Sequence, residues 1–304
     1  MTYVTDKTKQ GELEVFIDND QSLGYELNTF LKKVFNFFFI PFINNLPVSA
    51  RKLIKKSNKA VKHVVENATN HAALETLYHK GRTHQRRGLF QEIAHLVWFN
   101  TNNSKAVRNR LRLVKRELRK SIEKIYARKK DISILSIASG SARAIVEVLQ
   151  SLPLDFNGTI SVTFLDKNPE ALKYSKNLIE SNFTSKKFLF NWIEGTAGSF
   201  LRSTSADRVD IIEMVGLLDY FDDQKAIDIF NNIHSKLNEG GIFITANIVD
   251  NAEQKFLKKV IGWEMIYRYA EDLQQLLIKA GFSQEKVYMF YEPLKIHTIA
   301  ICNK

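Results

Sequence analysis

The chain has 304 residues, enough for two domains with ample cores, and 44 Lys and Arg against 33 Asp and Glu give a net charge of +11. Its one cysteine, Cys302, excludes a disulfide framework and a cysteine zinc site. A polar start without a signal sequence, and no apolar run near the roughly 20 residues that span a bilayer, predict a cytoplasmic protein.

The charge is unevenly divided along the chain. Residues 1–130 carry 26 Lys and Arg against 11 Asp and Glu, whereas residues 131–304 carry 18 against 22. We therefore expect a domain boundary near residue 130, with the basic surface in the N-terminal part.

Residues 1–130 are predicted to form an all-α domain, because Gly and Pro are scarce and no alternating strand pattern stands out. The first 22 residues are polar and are expected to be loosely ordered. Residues 23–46 crowd five phenylalanines around Pro41: Phe35, Phe37, Phe38, Phe39 and Phe42. The favoured interpretation is a buried helix–kink–helix, and the alternative is an apolar surface for a lipid or acyl chain.

Residues 47–80 resemble one or two amphipathic helices, and residues 83–99 start another. The clearest helix is 104–130, with Ser104 as N-cap and an apolar stripe at spacing three and four from Val107 to Ile125. Six basic residues cover its other faces: Arg108, Arg112, Lys115, Arg116, Arg119 and Lys120. A solvated or interdomain face is the favoured interpretation, and a nucleic-acid clamp or a peripheral contact with an anionic membrane are alternatives.

Residues 131–143 organise the second half of the chain. An apolar strand pattern from Ile132 to Ile137 ends in the small residues 138–142, and an apolar helical run follows. A second apolar strand ends at Asp166, 26 residues after Gly140. Small residues let a ligand approach the backbone, and an acid that closes the second strand can bind ribose hydroxyls, so this layout predicts a nucleotide site.

The remaining pattern alternates strands and helices. A helix is predicted at 169–182 with Asn168 as N-cap, a third strand and loop at 188–200, and a fourth strand at 207–221. A helix, a Gly-Gly turn and a fifth strand follow at 227–248, then a helix at 262–282 closed by Gly281. Two final strands lie around a turn at 292–295 within residues 285–302.

Residues 131–304 resemble class I S-adenosylmethionine-dependent methyltransferases. The stretch Ser136–Ala142 corresponds to their first motif, an acid followed by glycines at alternate positions, although Ser136 replaces the acid and Ala138 and Ala142 replace glycines. The resemblance implies an α/β fold, with a seven-stranded Rossmann-like sheet and a C-terminal antiparallel hairpin after the helical N-terminal domain. It also implies S-adenosyl-L-methionine as the cofactor, whereas one glycine argues against a dinucleotide site.

The resemblance places cofactor-binding residues at the carboxyl ends of the strands. These are Ser136, Ala138, Ser139, Gly140, Ser141, Asp166, Lys167, Gly195, Thr196, Met214 and Gly216. No metal-ligand spacing occurs among the seven histidines, so no metal site is predicted.

The binding site for the methyl acceptor is expected beyond the carboxyl ends of the fourth and fifth strands. Tyr220, Tyr267 and Arg268 are the candidates for catalysis, since they could bind a carboxylate or orient a hydroxyl. A looser resemblance to bacterial methyltransferases linked to hydroxy fatty acid methyl esters ranks a small-molecule or lipid acceptor first. The alternatives are an RNA methyltransferase that uses the basic helix 104–130 and a non-catalytic relative of the fold.

Overall fold

The computed structural model describes residues 2–7, 12–47, 49, 59–67, 70–81, 88, 92, 95, 98–153, 156–185, 187–205 and 207–304. Its strands form one sheet and are β1 (Thr2–Lys7), β2 (Glu12–Ile17), β3 (Asp131–Ile137), β4 (Thr159–Asp166), β5 (Phe188–Glu194), β6 (Val209–Met214), β7 (Leu237–Ile248), β8 (Val287–Tyr291) and β9 (His297–Asn303). Their spatial order is β1-β2-β8-β9-β7-β6-β3-β4-β5.

The helices of the described residues are α1 (Phe30–Asn44), α2 (Lys59–Glu66), α3 (His71–Tyr78), α4 (Asn102–Tyr126), α5 (Arg143–Gln150), α6 (Pro169–Glu180), α7 (Phe200–Ser203), α8 (Asp223–Lys236), α9 (Gln254–Phe256) and α10 (Ala270–Lys279). Short 3₁₀ turns lie at Gln21–Leu23, Leu218–Tyr220 and Gln284–Lys286, and α9 continues into a π turn at Leu257–Ile261.

Strands β3 to β9 form the predicted methyltransferase sheet. Strands β3, β4, β5, β6 and β7 pair in parallel, and β9 pairs antiparallel with both β7 and β8. The predicted seven strands and C-terminal hairpin are confirmed. Parallel strands bring their carboxyl ends to one edge of the sheet, so this order gathers the loops after β3, β4, β5 and β6.

The N-terminal part was predicted to be all-α, but it also contains two strands. Strands β1 and β2 form an antiparallel hairpin, and β2 extends the sheet by pairing in parallel with β8, where Val15 lies opposite Met289. Val15 is buried in the core under this edge. The alternation of Leu13, Val15 and Ile17 is the sequence signal, but six residues with one short alternation predict a strand weakly.

Two apolar layers cover the sheet. Residues of α4 and α5 pack against one face, where Leu118 and Ile145 join Ile134 of β3. Residues of α8 and α10 pack against the other face, where Phe230 and Leu273 lie in one cluster. A third cluster joins α1, α2 and α3 to the chain beyond the carboxyl end of β7.

Helix boundaries differ from the prediction at two places. Helix α4 begins at Asn102 with Thr101 as N-cap, so Ser104 lies inside the helix, and it ends at Tyr126. Residues 262–269 are not helical, and α10 starts at Ala270. The backbone N–H groups of Ile266 and Arg268 donate instead to the carbonyls of Asp219 and Ile248, at 2.7 and 3.0 Å. Asn168 caps α6 as predicted.

The buried helix–kink–helix predicted around Pro41 is wrong. Helix α1 is a single helix that contains Pro41, and its buried residues are Asn36, Ile40 and Ile43. Phe35, Phe37, Phe38 and Phe42 are exposed. The predicted helices at 47–80 are present as α2 and α3, whereas 50–58 and most of 83–97 lie outside the described residues.

Candidate functional site

The loop after β3 has an unusual backbone. Ala138, Gly140 and Ala142 all have positive φ angles, of 54°, 53° and 57°. This left-handed conformation is easy for glycine and strained for alanine. The two alanines therefore keep the backbone that the alternate glycines of the motif would adopt, and the loop retains its shape despite the substitutions.

Asp166 lies at the carboxyl end of β4 beside this loop. Its Oδ2 accepts a hydrogen bond from the Gly140 N–H and its Oδ1 accepts one from the Asn168 N–H, both at 2.9 Å. Each carboxylate oxygen has a second lone pair. The side chain is therefore fixed in place and can still accept hydrogen bonds from a ligand.

The strand ends open into a cavity of about 760 Å³. Eight predicted site residues line it: Ala138, Gly140, Asp166, Lys167, Gly195, Thr196, Gly216 and Tyr220. A smaller adjoining space of about 60 Å³ is lined by three more, Ser136, Ser139 and Ser141. The structure thus brings together most of the residues that the motifs indicated.

Met214 does not line either space. Its side chain is fully buried in the core between β6 and α8, and its carbonyl accepts a hydrogen bond of 2.8 Å from the Thr245 hydroxyl. Successive side chains of a strand point to opposite faces, so Met214 points away from the face that Glu213 and Val215 share. The prediction that the Met214 side chain binds the cofactor is corrected accordingly.

Glu213 is a site residue that sequence reasoning missed. Ser136 donates a hydrogen bond of 2.7 Å from Oγ to Glu213 Oε2, and the two residues are paired across β3 and β6. Burial raises the pKa of Glu213 to about 7, against the opposing effects of Ser136 and the Arg110 charge. An acid directly after the apolar pair Ile211 and Ile212, within the strand Val209–Met214, was the available signal. A carboxyl group thus lies beside Ser136, on the neighbouring strand.

Arg268 is not available to an acceptor. It is 3% exposed, and its guanidinium donates to Asp223 Oδ1, Asn247 Oδ1 and the carbonyls of Leu218 and Phe221. The predicted role in acceptor binding is therefore corrected: Arg268 joins the ends of β6 and β7. The sequence pattern placed a cation near the strand ends, but it did not show the carboxylate, amide and carbonyl oxygens that accept its hydrogen bonds.

The two predicted tyrosines differ in position. Tyr220 lines the cavity, and its hydroxyl accepts a hydrogen bond from the Trp263 indole N–H. Tyr267 packs in the third core cluster away from the lining, its buried hydroxyl has no partner among the described residues, and burial raises its pKa to about 12. Only Tyr220 can contact a molecule in the cavity.

Arg110 of α4 supplies a buried cation to the cavity. It is 4% exposed, and it forms no ion pair within 4 Å of any described acidic group. A Cβ at Gly216 would stand 3.4 Å from a terminal nitrogen of Arg110, so the guanidinium lies against the loop after β6. In the sequence, nothing distinguishes Arg110 from the other basic residues of this helix, so its buried position could not be predicted.

Several residues that line the cavity carry a buried polar atom without a partner among the described residues. Trp98 Nε1, Asn103 Oδ1 and His297 Nδ1 are buried and have no hydrogen-bond partner among the described residues. Burial and the Arg110 charge lower the pKa of His297 well below its ordinary value, so the imidazole is neutral. Buried polar groups are nearly always hydrogen-bonded, so these three unpartnered atoms distinguish the polar part of the cavity wall from its apolar part.

Among the described residues, no group of His, Cys, Asp and Glu could hold a metal ion. None of the described helices combines the length and the apolar composition that a membrane span requires. No curated protein sequence matches the chain.

The fold has solved relatives at low sequence identity. A possible exported protein from Bordetella parapertussis superposes with a TM-score of 0.64 and 15% identity, over 87% of this chain and 95% of that one. The carbon methyltransferase of CurJ superposes with a TM-score of 0.52 and 14% identity, over 82% of this chain and 67% of that one. These similarities concern the fold.

The family assignment comes from the sequence itself. A family model described as "Putative methyltransferase" matches residues 73–304, a range that covers strands β3 to β9, the loop after β3 and helix α4. S-adenosylmethionine is the cofactor of such an enzyme, and the cavity geometry above agrees with it. The chain belongs to this family of methyltransferases.

Proposed function

We propose that the protein methylates an oxygen atom of a small acceptor that combines an apolar body with an anionic head, with a fatty acid carboxylate as the leading candidate. One observation carries the proposal. A single cavity runs from the loops after β3 and β4 to an apolar wall supplied by the N-terminal helices, and Arg110 lies within it.

The residues at the sheet edge fit the cofactor. The left-handed loop leaves room for close approach at Gly140, Asp166 retains lone pairs for two hydroxyl groups, and the buried Ser139 hydroxyl has no partner among the described residues. The bound cofactor supplies a methyl group on a sulfonium centre. Asp166, Gly140 and Gly195 would hold it at the carboxyl ends of the strands, where open α/β sheets bind nucleotides.

The acceptor end of the cavity is mainly apolar. Its wall is formed by residues of α3, α4 and the segment after β7: Leu74, Leu77, Val107, Phe256, Leu257, Ile261 and Met265. Walls of this kind bury the body of a ligand and keep water away from the reacting atoms. The helical N-terminal part therefore supplies the acceptor pocket.

The polar groups of this pocket suit a carboxylate. Arg110 offers a planar set of donors that matches two carboxylate oxygens, and the Trp98 indole N–H can add a hydrogen bond. The amide group of Asn103 does not contribute, because its N–H donors already bind Asn251 and Glu253. A carboxylate has no proton to lose, so its methylation needs no general base. For a hydroxyl acceptor, the cavity lining offers the neutral imidazole of His297, which is a weak base because burial and the Arg110 charge lower its pKa.

The contacts of α4 give less support to RNA methylation. The six basic residues assigned to a phosphate clamp form ion pairs: Arg108–Glu26, Arg112–Glu26, Lys115–Glu147, Arg116–Asp18, Arg119–Glu123 and Lys120–Glu117. A phosphate would have to compete with these carboxylates. The preserved loop backbone at residues 138–142 likewise argues against loss of cofactor binding.

Calorimetry with a series of saturated fatty acids and with RNA, each at two salt concentrations, tests the proposal. Each methylene buried should contribute about 0.8 kcal/mol, or about fourfold in affinity, and the binding should change little with salt. An RNA acceptor would instead lose affinity steeply, with a slope of about −0.7 per phosphate contacted. If binding does not depend on chain length and falls steeply with salt, the proposed acceptor is RNA and not a fatty acid.

A matched pair of variants locates the head group. Arg110→Gln should weaken fatty acid binding at least about tenfold, because a buried charge-assisted hydrogen bond contributes about 1.5–3 kcal/mol. Arg112→Gln, two residues away and paired with Glu26, should leave binding unchanged. Equal effects of the two variants would exclude a specific role for Arg110.

A further inference from the structure

Helix α1 exposes a wide apolar surface. Seven of its large side chains are between 44% and 78% exposed: Phe30, Leu31, Val34, Phe35, Phe37, Phe38 and Phe42. Leu27, just before the helix, is 60% exposed. At roughly 150–250 Å² for an aromatic side chain, these groups present on the order of 800–1,000 Å² of apolar surface. The largest apolar patch of an ordinary monomer is about 300–600 Å², so the size of this surface indicates an interaction site.

The exposed side chains share one side of the helix. With about 100° between successive residues, the seven fall within an arc of roughly 160°. The buried residues Asn36, Ile40 and Ile43 lie on the opposite side and hold the helix to the protein. Asn36 also donates a hydrogen bond of 2.9 Å to Asn102 Oδ1 at the start of α4. The helix is thus anchored along a narrow side while its wide apolar side faces outward.

Lysines border this apolar arc. Lys32 and Lys33 flank it on the helix itself, which contains no acidic residue, and Lys32 Nζ lies 4.7 Å from the centre of the Phe35 ring. The neighbouring segment 254–261 adds three exposed lysines, Lys255, Lys258 and Lys259, and Lys258 forms an ion pair with Glu264.

Asn44 joins this segment to α1. Asn44 Nδ2 donates to the Ala252 carbonyl at 2.7 Å, and the Phe256 N–H donates to Asn44 Oδ1 at 2.9 Å. The lysines of both segments therefore border one surface, which we call the phenylalanine surface and its lysine rim.

We propose that the phenylalanine surface and its lysine rim bind the interface of an anionic membrane. Exposed Phe and Leu enter the acyl boundary of a bilayer, and lysines beside them contact anionic head groups. Helix α1 has 15 residues, so it lies along the surface and does not span the bilayer. A two-fold contact with a second copy would place each lysine rim against another, and like charges disfavour that arrangement.

The proposed contact lies next to the acceptor pocket. Phe256, Leu257 and Ile261 line the cavity, and they belong to the segment that carries three lysines of the rim. A membrane-bound protein would thus hold the apolar wall of the pocket close to the acyl layer. The membrane contact does not depend on the identity of the acceptor and can be tested without an activity assay.

Vesicle flotation of the full chain tests this proposal. We expect binding to vesicles of phosphatidylcholine with about 30% phosphatidylglycerol to be at least about tenfold tighter than to pure phosphatidylcholine, and to weaken at high salt. The double variant Phe37→Ser with Phe38→Ser should lower binding at least about tenfold. Leu189→Ser, which removes a 53% exposed side chain from β5, should leave it unchanged. Lys33→Ser with Lys259→Ser should reduce the preference for anionic vesicles.

Two results would overturn the membrane assignment. One is equal vesicle binding of the wild-type chain and the Phe37/Phe38 variant, with circular dichroism showing both folded. The other is a concentration-dependent dimer in sedimentation velocity that the same variant abolishes, in the absence of vesicle binding. The second result would assign the surface to another copy of the chain.

Discussion

Asp166 lines the cavity and accepts two backbone hydrogen bonds, one on each carboxylate oxygen, so each oxygen keeps a second lone pair. Replacing it with alanine removes the ligand's hydrogen bonds to a charged acceptor. We expect Asp166→Ala to weaken S-adenosylmethionine binding by roughly 1.5–3 kcal/mol, or about 10- to 150-fold, in a calorimetric titration. Asp228→Ala, on an exposed face of α8, is the control and should bind normally; Asp155, another candidate control, lies outside the described residues. Unchanged affinity in the Asp166 variant would contradict the assigned cofactor site.

Glu213 should make stability depend on pH. Burial raises its pKa to about 7 in the folded chain from an ordinary 4.5, so between these values the folded state keeps a proton that the unfolded state has lost. The free energy of unfolding should therefore fall as pH rises from about 4.5 to 7, by up to roughly 3 kcal/mol from this group.

Urea denaturation of Glu213→Gln at several pH values tests this effect. The amide cannot ionise and still accepts the Ser136 hydrogen bond, so the variant should gain stability over the wild type as pH rises from 5 to 8. Glu180→Gln, at an exposed position of α6, should follow the wild-type curve. Parallel curves for Glu213→Gln and the wild type would show that Glu213 has an ordinary pKa.

The loop between β3 and α5 shows how an element can tolerate a changed motif. Ala138 and Gly140 have nearly the same positive φ, and Ala138 faces the cavity, so its methyl group fills little core space. We expect Ala138→Gly to raise the free energy of unfolding by about 0.5–1 kcal/mol, because glycine removes the left-handed strain at the cost of chain entropy.

The reciprocal change provides the matched control. Gly140→Ala should lower the free energy of unfolding by about 1 kcal/mol, since an added Cβ makes ordinary contacts with His71 Cβ, at 3.5 Å, and the Ala138 carbonyl oxygen, at 4.0 Å, and backbone strain dominates. Thermal and urea unfolding of both variants measure the difference. Changes of the same sign would show that the two positions do not share a backbone constraint.

At the scale of the whole molecule, α4 connects the two halves of the chain. Its stripe from Leu113 to Ile125 packs in the same core cluster as Ile134 and Ile211 of the sheet. Glu253, beyond β7, accepts hydrogen bonds from the N–H groups of Asn102 and Asn103 at 2.8 and 2.9 Å. The domain boundary near residue 130 stays a prediction, and this packing favours an earlier one.

Unfolding of chain fragments can distinguish a domain boundary near residue 130 from an earlier one. We expect residues 131–304 alone to lack cooperative urea unfolding, because removal of α4 exposes one apolar face of the sheet. Residues 98–304 keep α4 and should unfold cooperatively, with stability below that of the intact chain. A fragment 131–304 that unfolds cooperatively at the intact chain's midpoint would support the boundary near 130.

The amino-acid sequence alone predicts the parts of the fold that depend on neighbouring residues. Strands β3 to β9, the N-cap at Asn168 and the position of Asp166 follow from periodicity and capping residues within short segments. The cofactor loops could be located for the same reason, since parallel strands in this order bring their carboxyl ends together. Met214 was misplaced because its orientation depends on strand register, which a motif does not specify.

The acceptor pocket and the outer surface depend on tertiary contacts. Arg110 and His297 are far apart in the chain and meet only because α4 and β9 pack around the same sheet edge. Arg268 looked free in the sequence, but its donors are taken by groups from three other segments. Phe37 and Phe38 have the composition of a core, yet α1 uses its other side for packing. Sequence periodicity shows which residues share a face, whereas only the folded chain decides what that face contacts.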